Sequence, residues 1–122
     1  MAVRGIRGAI TVETDDPAEI HAATRELLQE IISKNEITAD DIISIIFTVT
    51  ADIRSAFPAT AARAMGLNLV PLICTQEIPV PGALPLCIRV LMHVNTPKTQ
   101  GEIAHRFLRA AAQLRPDLSE TD

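Results

Sequence analysis

The chain contains no tryptophan, no tyrosine and only three phenylalanines, so it is nearly transparent in the near ultraviolet and must be quantified by other means. Lysine is almost as scarce. Of eleven basic residues two, Lys34 and Lys98, are lysine, which leaves nine arginines, and the net charge is −4. Phosphate backbones are gripped by basic faces, so this balance argues against a nucleic-acid binder but not against a binder of small anions. No apolar run reaches membrane-spanning length, and "MAVRGIRG" carries no signal-peptide core, which gives the expectation of a cytoplasmic protein without membrane contact. Cysteine is limited to Cys74 and Cys87, in no C-x-x-C, with three scattered histidines. That spacing argues against a metal site, and a cytoplasmic chain keeps both thiols reduced. There is no G-x-G-x-x-G, no G-x-S-x-G and no histidine close to either cysteine, so dinucleotide binding and nucleophilic catalysis lack support. Repeats, low-complexity segments and linkers are absent too, and a 48% hydrophobic content over 122 residues gives one globular domain, 1–122.

What is present alternates. "VRGIRGAITV" (3–12) reads as a strand whose two glycines thin its outer surface. A helix follows, with Asp16 as N-cap, Pro17 at the first helical position, Glu19 at the capping-box place and a stripe of Ile20, Leu27, Leu28, Ile31 and Ile32. Residues 40–52 make a second strand, and "SAFPATAARAMG" a short helix between Pro58 and Gly66. "LVPLICTQEI" is a third strand, "PVPGALP" a turn region, and "LPLCIRVLMHV" (84–94) a fourth strand. The pattern closes on a helix, where Thr99 and Glu102 form a capping-box pair and Ile103, Phe107, Ala111 and Leu114 share a face, before a flexible tail at 116–122. The order βαβαββα implies an α+β fold, a mixed four-stranded sheet with helices on one face. The bare face calls for a partner, most simply another copy of the chain, with sites at subunit boundaries.

The fourth strand poses the functional question. Leu86, Ile88, Val90, Met92 and Val94 alternate onto a core face, and Arg89 lies on the other side with Cys87, Leu91 and His93. A guanidinium inside a strand needs a partner, because burying an unpaired charge is costly. A tight turn would pair the third and fourth strands antiparallel and bring Glu77 to Arg89. Arg4 and Arg7, three apart, face opposite sides of the first strand. The group reads either as an interfacial ion pair or as two or three arginines and a carboxylate that receive a small dianion.

"RGIRGAITVE", "FPATAARAMG", "VPLICTQEIPVPGALPLCIRVLMHV" and "LRPDLS" resemble the monofunctional chorismate mutases of the trimeric pseudo-α/β-barrel class, almost end to end. The resemblance implies a cytoplasmic homotrimer with clefts between subunits. It implies the intramolecular Claisen rearrangement of chorismate to prephenate, on the route to phenylalanine and tyrosine, without cofactor, metal or covalent intermediate. Carried over residue by residue, it makes Arg89 the cation at the breaking ether oxygen, Arg7 a carboxylate ligand, Glu77 an acceptor from the substrate hydroxyl and Cys74 its neighbour. Phe57, Ala59 and Ile73 become pocket walls, and Arg63, Leu114 and Arg115 a flap over the mouth. Two positions depart from the family's usual pattern: Phe107 stands where a tyrosine is common, and Thr60 where a lysine is often found. Trimeric imine deaminases share the barrel-like trimer and a carboxylate-binding arginine, but "CTQE" and "LRPDLS" argue against them. A regulatory module that binds chorismate or prephenate without turnover is kept in play by Phe107 and Thr60.

Overall fold

A computed structural model describes residues 1–114. Its elements are β1 (Ala2–Thr11), α1 (Pro17–Asn35), β2 (Ile42–Val49), α2 (Pro58–Ala64), β3 (Leu72–Gln76), β4 (Cys87–Thr96) and β5 (Arg106–Phe107), with short 3-10 turns at Ala39–Asp41, Gln100–Glu102 and Arg109–Gln113. The strands form one mixed sheet in the order β3-β2-β4-β1-β5. β4 is antiparallel to both β1 and β2, whereas β3 runs parallel to β2 and β5 parallel to β1. Both helices pack on one face, as the α+β pattern requires.

The first helix starts where its sequence says. Asp16 Oδ2 accepts the backbone N–H of Glu19 at 3.1 Å, and Pro17 occupies the first turn, where no N–H is missed. Glu19 does not close the box onto its own cap. Its carboxylate takes the N–H of Glu13 and the Thr14 hydroxyl instead, tying the helix to the loop that leaves β1. These bonds, the Glu13 N–H foremost, hold the Glu19 carboxyl below its ordinary pKa. Ile20, Leu27, Leu28 and Ile31 are fully buried against Ile6, Ile10, Phe47, Ile88, Met92 and Val94.

Gly8 faces this helix layer, not the outer surface. A Cβ there would stand 2.8 Å from Ile31 Cδ1, 3.1 Å from Leu27 Cδ1 and 3.2 Å from the Arg106 carbonyl oxygen. Gly5 does lie on the outer side, with Leu91 Cδ1 at an ordinary 3.6 Å. Gly8→Ala is therefore expected to destabilise by about 1–3 kcal/mol through overpacking, with Gly5→Ala far milder. Chemical denaturation of the two variants side by side checks this.

The sequence pattern fails in the last third. The helix expected from Thr99 onward is absent: the capping box of Thr99 and Glu102 closes only a single 3-10 turn, and β5 follows. Asn35 at the end of α1 holds Ala104 at both backbone groups, Nδ2 to the carbonyl at 2.9 Å and Oδ1 to the N–H at 2.8 Å. Arg106 meets Glu30 at 2.9 Å, and the Leu108 N–H donates to the Ala9 carbonyl. These long-range bonds extend the chain against β1, and tertiary pairing overrides a modest helix propensity. The apparent stripe is split across the sheet: Ile103 joins the main core, while Phe107 and Ala111, with Leu114 against them, pack on Ala9 and Cys87 of the other face. The fourth strand also begins later than expected, at Cys87, because Leu86 turns through φ +51° with its N–H on the Asp52 carboxylate. The expected flexible tail, 116–122, lies outside the described residues.

Candidate active site

Strand alternation sends one set of side chains to the face away from the helices. In register across the sheet, Arg7 lies opposite Leu91, Ala9 opposite Arg89, and Thr48 opposite Arg89 from the other side. Glu77 follows β3 directly, and its N–H donates to the Val49 carbonyl at 2.8 Å, which prolongs the β2–β3 ladder by one step. Arg7, Thr48, Glu77 and Arg89 line a hollow of about 270 Å³. Arg4, by contrast, turns to the helix-layer edge, where its Nε donates to the Lys98 carbonyl.

Glu77 and Arg89 do meet, although not by the expected pairing of β3 with β4. β2 runs between them. Two strand spacings are roughly 10 Å, a gap that glutamate and arginine span across the small side chain of Thr48. Glu77 Oε2 stands 3.4 Å from Arg89 Nε and accepts the Thr48 hydroxyl at 2.7 Å. Thr48 thus anchors the carboxylate while leaving the arginine less tightly held. Among the described residues, the buried Arg89 Nε has no acceptor in hydrogen-bonding geometry. A buried donor in that state is costly, and an oxygen entering the hollow would satisfy it. Both side chains remain about a quarter exposed, at 27% and 29%, so the site is open to a ligand.

Cys87 lies beside Arg89 on the same face, fully buried. Burial pushes its thiol up in pKa, and the Arg89 guanidinium offsets only part of that, so it stays a neutral thiol at pH 7 and is not a nucleophile. Arg7 Cζ stands 5.5 Å from the centre of the Phe107 ring, within cation–π range.

The other residues singled out from the sequence fall elsewhere in the chain. Cys74 pairs in register with Phe47 and so faces the helix side, opposite to Glu77. It lines a hollow of about 390 Å³ with Phe57, Arg54 and Gln76, and Phe57 is 68% exposed at its mouth. Ala59 is buried in the main core, and Arg63 is exposed on the last turn of α2. Thr60 borders a third hollow of about 350 Å³ with His21 and Arg25. Ile73 is 60% exposed at the sheet's open edge strand, and Leu114 rests against the Phe107 cluster. Arg115 lies outside the described residues. One chain therefore assembles Arg7, Glu77, Arg89 and the Phe107 ring, while Cys74 and Phe57 line a second hollow, Thr60 borders a third and Arg63 stands exposed on α2.

The family described as chorismate mutase type I matches residues 3–118. The chain belongs to the type I chorismate mutases. It is 55% identical over 117 residues to the chorismate mutase AroH of Thermus thermophilus, covering 95% of this chain and 96% of that one. With the chorismate mutase AroH of Bacillus subtilis the identity is 44% over 122 residues, covering 99% and 96%. A solved chorismate mutase from Clostridium thermocellum superposes with a TM-score of 0.89 at 53% identity, over 90% of this chain and 98% of the other. The five-stranded mixed sheet with two helices is thus the fold of a chorismate mutase. Within it, sequence reasoning missed Thr48. A threonine in a β-branched strand looks like strand propensity alone, and only the register that sets it between Glu77 and Arg89 gives it a task.

Proposed function

We infer that this chain, as a single domain over 1–122, converts chorismate to prephenate by an intramolecular Claisen rearrangement, a step of phenylalanine and tyrosine synthesis in the cytoplasm. The observation that carries the mechanism is the buried Arg89 Nε, loosely paired with Glu77 at the hollow. In the rearrangement the ether C–O bond breaks ahead of C–C formation, so negative charge gathers on the ether oxygen. A cation already fixed there stabilises that charge without reorganising solvent. Arg89 supplies the cation, Arg7 takes a carboxylate, and Glu77 accepts the hydroxyl proton in a hydrogen bond. Together they hold the folded conformer in which the bond-forming carbons meet. No residue is asked to form a covalent bond, consistent with thiols that sit as a buried neutral group and a strand residue.

Copies of the chain complete the site as a homotrimer. None of Cys74, Phe57, Thr60 and Arg63 lines the Arg7–Glu77–Arg89 hollow of the same chain, so it is a neighbouring copy that brings them to the substrate held there. Leu91 is 37% exposed on the outer face and Ile73 60% exposed, apolar surface that subunit contact would cover.

The test is loss of the chorismate ultraviolet band with purified wild type, run beside Arg89→Ala prepared identically to expose host mutase. Saturable conversion to prephenate by wild type alone is the expected result. Binding of prephenate without turnover would instead support the regulatory reading. Phe107 gives a second check. Where relatives carry a tyrosine hydroxyl, this ring offers only its π face to Arg7. Phe107→Tyr is expected to lower KM several-fold, about one added hydrogen bond, with kcat little changed. An unaltered KM would show that Phe107 serves packing only.

A further inference from the structure

We propose that His105 is a positioning residue for Arg7: its imidazole replaces a missing strand carbonyl and fixes the backbone from which the Arg7 guanidinium is aimed. β5 pairs with β1 only at Gly8 opposite Arg106 and Ala9 opposite Phe107. At Arg7 the ladder has run out, and the Arg7 backbone N–H donates instead to His105 Nδ1 at 2.9 Å. An imidazole nitrogen that accepts a hydrogen bond carries no proton, so His105 stands as the Nε2–H tautomer. The N–H fixes the peptide plane at residue 7, and with it the direction of the Cα–Cβ bond toward the outer face.

The histidine is itself held firmly. Ala104 is pinned at both backbone groups by Asn35, and Arg106 by Glu30 at 2.9 Å. Two residues further on, the Phe107 ring lies 5.5 Å from Arg7 Cζ. The segment 105–107 therefore grips Arg7 twice, at its main chain through His105 and at its guanidinium through Phe107. A displaced backbone at residue 7 would carry the guanidinium off the substrate carboxylate while leaving Arg89 and Glu77 in place, since β1 lies between β5 and the strand of Arg89, and Glu77 follows the strand at the far edge of the sheet. The effect belongs in substrate binding, not in the bond-breaking step.

The inference rests on the reading of Arg7 as a carboxylate ligand, and the test separates the two. In His105→Asn the amide oxygen can occupy the place of Nδ1 and keep the acceptor, whereas His105→Gln carries it one bond further, to the place of Nε2. Steady-state kinetics on chorismate are measured for both, in the wild-type and Arg7→Ala backgrounds. The glutamine variant is expected to raise KM about tenfold, the worth of a well-placed hydrogen bond, with kcat within about threefold. The asparagine variant is expected to restore KM to within about threefold of wild type, and the two should become equal once Arg7 is absent. Equal KM values for asparagine and glutamine with Arg7 present would overturn the proposal, as would a difference that persists without Arg7. Should the glutamine variant not fold, His105→Ala, which lacks any acceptor, takes its place with the same expectation. If Arg7→Ala alone leaves KM unchanged, it is the carboxylate role of Arg7 that fails.

Discussion

Arg89→Ala is expected to lower kcat/KM by at least about two orders of magnitude, the equivalent of roughly 3 kcal/mol or more of lost transition-state stabilisation. The loss should fall mainly on kcat, because the ether oxygen carries little charge in the ground state and gains it as the C–O bond breaks. The fold should tolerate the change. Arg89 is partly exposed and its ion pair with Glu77 at 3.4 Å is screened, while Thr48 still holds the carboxylate. Arg89→Lys is expected to fall between the two, since it keeps the charge but loses the planar fork that can meet two oxygens together. Kinetics on protein of verified assembly and unchanged melting temperature decide the matter. An alanine variant within tenfold of wild type would move the electrostatic role away from Arg89.

The first two-thirds of the fold were legible because local and tertiary preferences agree there. Asp16 and Pro17 start a helix that also has an apolar stripe to bury, and the alternation of β4 is the alternation of its two faces. The end of the chain was misread because its periodicity is accidental. Ile103, Phe107 and Ala111 sit four apart, which suits a helix face, yet they serve two different cores on opposite sides of the sheet. What decides the conformation is Asn35, nearly seventy positions away, and no pattern within 99–114 encodes it.

The site was legible where charge sits against expectation. Arg89 within an apolar strand and Glu77 at a strand end stand out in any reading, and the chain brings them together. Their meeting was foreseen by the wrong topology, an adjacent antiparallel pair, whereas β2 intervenes and reach across Thr48 makes the contact. Thr48 and His105 carried no signal of their own. Each acts through a partner fixed by register, and register across non-adjacent segments is set by the whole sheet. The family resemblance puts Cys74 beside Glu77, but the two are three apart in sequence, and on a strand that spacing places them on opposite faces within one chain.

That last displacement yields the other large effect. If two copies share each site, Arg89→Ala and Arg63→Glu damage different halves of it. Arg63 is exposed on α2, so reversing its charge should leave folding intact while repelling a dianionic substrate at the mouth. Each variant alone is expected to be nearly silent. Co-expressed or refolded together at equal amounts, they should regain about a quarter of wild-type activity, because each half of a site is intact in half the subunits and the halves assort independently around a cyclic assembly. Mixing the variants without subunit exchange should restore nothing, which controls for contamination. A site contained in one chain predicts a different result: every chain in the mixture carries one lesion, so activity stays at the level of the variants at every ratio. The size of the recovery therefore reads the geometry directly, with a quarter requiring that Arg89 of one subunit and Arg63 of its neighbour face the same substrate.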